Sequence, residues 1–353
     1  MSQREIGICP QTETKCIFKE SPKLCPEFDT LYCRNFALIS GSGNQPLFQE
    51  VASILDAAIP EVTGMFPDEE SKVEIPESIR GMDVFIFQTG QPHPNDRIVE
   101  SALMLDAARR GSARSSTVVM PYFPYSRGDR KDKPRVPISA AMVAEILEER
   151  GASRILSIDL HAEQEEGSVK IPWDNLYSSY VLVPELKKYV DDNVVVASPD
   201  AGGVRRANFY AEILGSHDIA VAPKIRDPKK GNLAKSLGVI GDVEGRDVLL
   251  ADDIVDSART LKSAAENLKA AGAKSIIVAA AHGLFSGEAL ENITNSPIDL
   301  VFTTNSIEQR PEVLENPKIK VVSIAPLIAS AICRIQSDRS ISDLFLDTNG
   351  KTH

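Results

Sequence analysis

The chain holds 353 residues, 42% apolar and 25% charged, with 50 acidic against 39 basic side chains and a formal net charge of −11. That length is too great for one ordinary core and predicts two domains. The acidic balance excludes nucleic acid or an anionic membrane as the principal partner, and no apolar run reaches the length of a membrane span.

Residues 1–35 are rich in Pro, Thr, Lys and Cys without periodicity and read as an N-terminal extension. Four of the five cysteines (Cys9, Cys16, Cys25 and Cys33) lie there. They form no CxxC pair, so they read as free thiols in a reducing, cytoplasmic compartment and not as a zinc site. MSQREIGICPQ lacks the apolar core of a signal peptide.

From there strands and helices alternate. DVFIFQTG (83–90) predicts a strand and turn, followed by an amphipathic helix near Arg97–Arg109. STVVMPYF (116–123) is the next strand, and ISAAMVAEILEERG (138–151) a helix closed by Gly151. SRILSIDLHAEQ (153–164) is a strand running into a polar turn. A break falls near Ser178–Pro184. NVVVASPDAGG (193–203) is then a strand and glycine turn, with a helix following through Leu214. DVLLADDIVDS (247–257) is a strand, and Leu261, Ala264, Ala265 and Leu268 fall at helical spacing before Gly272. KSIIVAAAHGLFSG (274–287) and PIDLVFTTNS (297–306) are further strands, and IAPLIASAICRIQ (324–336) is a last amphipathic helix.

Short apolar runs separated by helices predict an α/β protein with two doubly wound parallel-sheet domains of similar plan. The expected boundaries are 36–179 and 180–324, with 325–346 packing back on the first domain.

The stretch VLLADDIVDSART (248–260) concentrates chemistry on one strand-to-helix turn, at the sheet edge where ligands bind in open α/β folds. Amides and hydroxyls at a helix start accept a phosphate. Asp252 and Asp253 repel one, but suit hydroxyls or a hydrated cation. A sugar phosphate answers both. The bland reading is an aspartate cap plus solvated loop acids.

PYFPYSRGDRKDKPRVP (121–137) carries Arg127, Arg130, Lys131, Lys133 and Arg135 after a strand and is suited to a nucleoside triphosphate, or is a solvated charge run. His161 ends a strand, and Asp200 lies in the glycine turn SPDAGG; a shared Mg²⁺ fits the pair, although imidazole is an unusual ligand for that ion. Lys224 and Arg226 alternate in the Pro- and Gly-punctuated segment APKIRDPKKGNLAK.

Together PYFPYSRGDRKDKPRVPIS, IDLHAEQ, IPWDNLY, SPDAGGVRRA, DDIVDSART and AHGLFSG closely resemble, in order and spacing, the ribose-phosphate diphosphokinases over residues 38–346. The resemblance implies a phosphoribosyltransferase-like plan. It also implies transfer of the β,γ-diphosphoryl group of MgATP to O1 of ribose 5-phosphate, giving phosphoribosyl pyrophosphate and AMP for nucleotide biosynthesis. It implies ATP contacts at Arg127, Lys131, Asp132 and His161. Phe66, Asp68 and Glu70 of FPDEE would serve the nucleotide of a neighbouring subunit. A Mg²⁺ centre is implied at His161 and Asp200, and ribose 5-phosphate binding at Asp252, Asp253, Asp256, Ser257, Ala258, Arg259 and Thr260. Lys224 and Arg226 match a mobile catalytic loop. Ser78, Arg80, Ser112, Arg135, Ser340 and Ser342 match a regulatory phosphate pocket, which implies activation by inorganic phosphate. A homo-oligomer is implied as well, a hexamer of dimers, with or without related chains.

Three departures qualify the match. Arg259 stands where the family's phosphate loop has a glycine, so either its side chain points outward or sugar-phosphate affinity falls. Gly128 replaces a glutamine in the ATP loop. Glu163 and Glu166 add carboxylates beside it, which puts inhibition by ADP in doubt. Two other readings compete: a non-catalytic associated subunit, and a phosphoribosyltransferase that would consume phosphoribosyl pyrophosphate.

Overall fold

A computed structural model describes residues 36–345 apart from 192, 217 and 223–237. The described residues fall into two compact units: 36–177 with 306–308 and 324–345, and 178–305 with 309–323.

The first unit opens with β1 (Phe36–Ser40), α1 (Gln45–Ile54) and a hairpin of β2 (Thr63–Met65) and β3 (Ser71–Val73). It continues through β4 (Asp83–Phe87), α2 (Pro94–Arg110), β5 (Ser115–Val119), α3 (Ser139–Arg150), β6 (Arg154–Ile158) and β7 (Trp173–Leu176). Its main sheet runs β1-β4-β5-β6-β7, all parallel. Strands buried on both faces read as continuous apolar runs, as VFIF in β4 does. Met104, Leu105 and Ala108 of α2 and Val143, Ala144 and Leu147 of α3 pack against Val84, Ile86 and Val118 on one face. Phe87 faces Phe48 of α1, with ring centroids 5.6 Å apart.

The second unit holds α4 (Ser179–Leu186), β8 (Val195–Ser198), α5 (Val204–Leu214), β9 (Ile219–Val221), β10 (Asp247–Val255), α6 (Arg259–Ala270) and β11 (Ser275–Gly283). It ends with α7 (Ala289–Thr294), β12 (Leu300–Thr304), α8 (Pro311–Leu314) and β13 (Ile319–Val322). The six-stranded sheet β13-β12-β11-β10-β8-β9 is parallel throughout. Helices α6 and α7 cover one face, and α4 and α5 the other. This is the doubly wound plan. The chain then returns to the first unit as α9 (Ala325–Gln336), which packs on α1.

The expected helix at Arg97–Arg109 begins three residues earlier, at Pro94, where the fixed φ of proline suits a first turn. Pro184 reads as punctuation, yet lies inside α4, which Leu182, Val183 and Leu186 hold by burial.

Candidate active site

The first unit offers two neighbouring turns at the carboxyl edge of its sheet. One is the loop from Pro121 to Ile138 after β5; the other, after β6, carries His161 and a 3-10 turn, Glu163–Ser168. Arg127, Lys131, Asp132 and His161 are all exposed there. The anchors beneath them are buried. Ser126 donates to both carboxylate oxygens of Glu165, at 2.8 and 3.0 Å. The backbone N–H of His161 donates to Ser126 Oγ at 3.1 Å, and that of Ala162 to Glu165 Oε1 at 3.1 Å. Burial, reinforced by the nearby Asp129 charge, pushes the Glu165 carboxyl up to about 7, against its hydrogen bonds and His161. Glu166 is also raised, by burial and by the charges of Glu163 and Asp174.

A Cβ at position 128 would displace the rotatable Ser139 hydroxyl at the start of α3, and Gly128 N–H donates to Tyr125 C=O at 2.9 Å.

The second unit has a matching pair of turns on the adjacent strands β8 and β10. After β8, one oxygen of Asp200 accepts the N–H groups of Gly202 and Gly203 at 2.8 and 3.0 Å. At the end of β10, Asp252 and Asp253 lie side by side, and the N–H of Asp253 donates to Asp252 Oδ1 at 2.9 Å. Arg206 of α5 approaches both, at 3.8 Å from Asp252 and 3.5 Å from Asp253. Burial and the neighbouring carboxylate hold Asp252 well above the usual carboxylate range, with Arg206 opposing the rise. Asp252 is half-buried and Asp253 buried, and ionised carboxylates placed this way accept hydrogen bonds from hydroxyls.

The residues expected to bind a phosphate follow directly. The carbonyls of Asp256 and Ser257 accept from Ser286 N–H at 3.1 Å and Asn292 Nδ2 at 3.0 Å, which fixes the turn from behind. Ala258 caps α6 at φ 57° with no side-chain hydrogen bond to the helix amides. Arg259 is the first helical residue; its exposed side chain pairs with Glu288 at 2.9 Å. The positive φ at this turn therefore falls on Ala258 and not on Arg259. Thr260 is half-buried in the first helical turn. Carboxylates at the strand end and uncapped amides one turn later provide for a hydroxyl-bearing, anionic ligand.

Residues 36–151 match the N-terminal domain of ribose phosphate pyrophosphokinase, and 217–346 match the phosphoribosyl synthetase-associated domain. The ribose-phosphate pyrophosphokinase of Helicobacter hepaticus is 44% identical over 313 residues, covering 88% of this chain and 99% of that protein. That of Thermotoga maritima is 44% identical over 320 residues, 89% of this chain and 99% of its own. This chain belongs to the ribose-phosphate pyrophosphokinase family. The phosphoribosylpyrophosphate synthetase of Mycobacterium smegmatis has the same fold, with a TM-score of 0.80 at 35% identity over 86% of this chain and all of that one. The protein is accordingly an enzyme, a ribose-phosphate pyrophosphokinase.

In this pyrophosphokinase, Phe66, Asp68 and Glu70 sit at the tip of the β2–β3 hairpin, all exposed. The hairpin closes through Phe66 N–H to Glu70 C=O at 2.8 Å, and Asp68 Oδ1 accepts from Glu70 N–H at 3.3 Å. Of the six residues expected to form a phosphate pocket, Ser112 and Ser340 take part in hydrogen bonds through their backbone carbonyls. Gly81 N–H, next to Arg80, donates to Ser112 C=O at 2.9 Å, and Ser78 lies just upstream. Arg114 and Gln336 both donate to Asp83, and Arg334 holds Ser340 C=O at 2.7 Å, two residues before Ser342. Arg135 lies apart from these along the chain, in the loop leaving the carboxyl end of β5. Lys224, Arg226 and the cysteine-bearing extension lie outside the described residues. Sequence reasoning passes over three residues with structural ties to the site: Ser126, Glu165 and Arg206. The signal for Arg206 is present in SPDAGGVRRA, one helical turn past the glycines.

No group of three or more His, Cys, Asp or Glu side chains among the described residues forms a ready metal cage. A magnesium ion needs only a few protein oxygens when nucleotide phosphates and water complete its shell. Asp200 suits such a role, since the two glycine amides occupy only one of its carboxylate oxygens.

Proposed function

We propose that the chain transfers the β,γ-diphosphoryl group of MgATP to O1 of ribose 5-phosphate, giving phosphoribosyl pyrophosphate and AMP. The observation that carries the substrate assignment is the β10–α6 turn, where an acidic pair precedes a helix start whose N-cap residue, Ala258, offers no side-chain acceptor. Asp252 and Asp253 would accept the ribose hydroxyls, while Asp256, Ser257, Ala258, Arg259 and Thr260 would surround the 5-phosphate. Arg206 keeps the two carboxylates together until the hydroxyls arrive.

Arg127, Lys131, Asp132 and His161 would hold the nucleotide, with Phe66, Asp68 and Glu70 contributed to a neighbour's site. Asp200 and His161 would hold Mg²⁺, which when bound offsets phosphate charge and orients the β-phosphorus for attack. The O1 oxygen forms a bond to that phosphorus as the bridge to the α-phosphate breaks. The bridging oxygen leaves with AMP, and the O1 proton passes to solvent. Positioning and cations dominate such a step. Lys224 and Arg226 would close on the transferring group and exclude water.

The regulatory reading extends from the same chain. Ser78, Arg80, Ser112, Ser340 and Ser342 would bind inorganic phosphate as activator. Arg135, at the far end of β5, would come from a second copy, which ties activation to homo-oligomer formation, a hexamer of dimers. The same reading includes a cytoplasmic location. Among the described residues no helix is long and apolar enough to cross a membrane.

Phosphorus NMR on pure protein with ribose 5-phosphate, MgATP and inorganic phosphate tests the proposal. AMP and phosphoribosyl pyrophosphate are expected together. ADP in place of AMP would mean ordinary phosphoryl transfer and overturn the mechanism. Arg259 gives the non-catalytic reading no support, because its side chain turns outward to Glu288.

A further inference from the structure

Glu165 is one of three acids in the short turn Glu163–Ser168, and the only one of them that is buried. Its carboxylate meets no arginine or lysine within ion-pair distance among the described contacts. Instead it takes the Ser126 hydroxyl and the Ala162 amide. Ser126 in turn accepts the His161 amide. The result is a closed ring of hydrogen bonds between two loops 35 residues apart in sequence. A second strut, Gln164 Nε2 to Asp129 Oδ2 at 3.3 Å, runs parallel to it at the surface. Arg127 follows Ser126 directly, and His161 supplies one of the amides. The two residues assigned to the nucleotide thus stand on the two sides of the ring.

A buried carboxyl without a cation is costly to keep. A leucine of similar size would fill the space without that cost. What leucine could not do is fix Ser126 against the turn that carries His161.

We propose that Glu165 is a positioning residue for diphosphoryl transfer: its link to Ser126 sets the spacing of Arg127 and His161 around the nucleotide. The proposal rests on the reading of residues 121–137 as the ATP loop. It concerns hydrogen bonding, which Gln retains and Leu or Ala does not.

The test is steady-state kinetics of the full-length enzyme, varying MgATP and ribose 5-phosphate separately. Glu165→Leu and Ser126→Ala each cut the ring from one side, and Glu165→Gln preserves it. Losing the ring should raise KM for MgATP about five- to tenfold, the worth of one or two hydrogen bonds, and leave KM for ribose 5-phosphate within about twofold. Glu165→Gln should stay near wild type. The double variant Glu165→Leu/Ser126→Ala should be no worse than either single variant, because both remove one interaction. If Glu165→Leu does not fold, Ser126→Ala and Glu165→Gln still decide the matter. Equal changes in both KM values, or changes in melting temperature alone, would make Glu165 structural and overturn the proposal. Arg127→Ala separates the two failures. If it leaves KM for MgATP unchanged, the ATP-loop reading falls and this inference with it. If it raises KM while Ser126→Ala does not, only this inference falls.

Discussion

Two strand-to-helix turns, one in each unit, solve the same backbone problem in opposite ways. The turn from β1 to α1 is closed upon itself. Gly41 N–H donates to Phe87 C=O at 2.9 Å, Ser42 N–H to Glu100 at 3.0 Å, and Gly43 N–H to Gln88 Oε1 at 3.0 Å. Asn44 sits at φ 51° and caps the helix with its side chain, accepting from Leu47 N–H at 3.3 Å. Even space is closed, since a Cβ on Gly41 would collide with Gln88. The turn from β10 to α6 also has a left-handed residue, Ala258, but alanine has no side-chain acceptor with which to cap the helix. Donors satisfied from within make a scaffold; donors left to a ligand make a site.

The buried acids repeat the contrast. Glu100 accepts from Ser42, Gln88 and Arg97, and this company holds its carboxyl below the usual range despite burial. Glu165 and Asp252 have fewer answering donors, and both are raised. The largest expected effect follows from the first case. Glu100→Ala strands the Arg97 guanidinium and three other donors behind the closed turn, and urea unfolding should show a loss of ~3–5 kcal/mol. A loss below ~1 kcal/mol would mean that solvent, and not Glu100, satisfies that turn.

Next comes the pH dependence of Glu165. Its folded pKa of about 7 stands above the ordinary 4.5, so the folded state holds a proton that the unfolded chain releases. Its contribution is present in full below pH 4.5 and is lost as pH rises through 7, a fall of ~3 kcal/mol. Glu165→Gln should flatten that part of the stability profile. Glu100 acts with the opposite sign: its contribution is present above pH 4.5 and is lost as pH falls through its lowered pKa. A profile for wild type and the two glutamine variants therefore separates the two acids. An unchanged slope in Glu165→Gln would refute the assignment.

The acidic pair gives a smaller effect. Asp252→Asn removes a charge that Asp253 repels, so stability at neutral pH should rise while KM for ribose 5-phosphate rises about tenfold. Higher stability without a change in KM would separate Asp252 from the sugar.

The main strands were legible because parallel strands buried on both faces leave unbroken apolar runs. VFIF in β4, VLLA in β10 and SIIVAAA in β11 have no polar interruption. β9 and β13 span three and four residues, too short to show a period. β7 hides differently: Trp173 and Leu176 are buried, but Asp174 and Asn175 break the run. β1 has no such excuse, since FALIS is as apolar as β4 and merely follows a segment without pattern. The motifs of the candidate site were legible as local concentrations of charge and hydroxyls. Its struts were not. Ser126 and Glu165 are 39 residues apart, and Arg206 meets Asp252 from another element, so no spacing rule connects them. The glycine substitution at Arg259 was legible as a departure, but its backbone consequence was not, because the left-handed residue proves to be its neighbour.

That neighbour provides the smallest test and the finest one. Asn44 and Ala258 are both left-handed N-cap residues of a helix that follows a strand. Asparagine tolerates it and adds a cap, whereas alanine meets the Cβ penalty and adds nothing. Ala258→Gly should therefore stabilise the second unit by ~1 kcal/mol, reduced by the extra freedom glycine gives the unfolded chain. Asn44→Gly should do the reverse, losing the cap for a few tenths of a kcal/mol. Arg259→Gly places glycine in a helical first turn, where it relieves no positive φ and removes the pair with Glu288; stability should fall by up to ~1 kcal/mol. Thermal unfolding of the three variants orders them as Ala258→Gly above wild type and the other two below. The reverse order at 258 and 259 would move the left-handed residue to Arg259, and the family's glycine would then be a backbone requirement that this chain fails to meet.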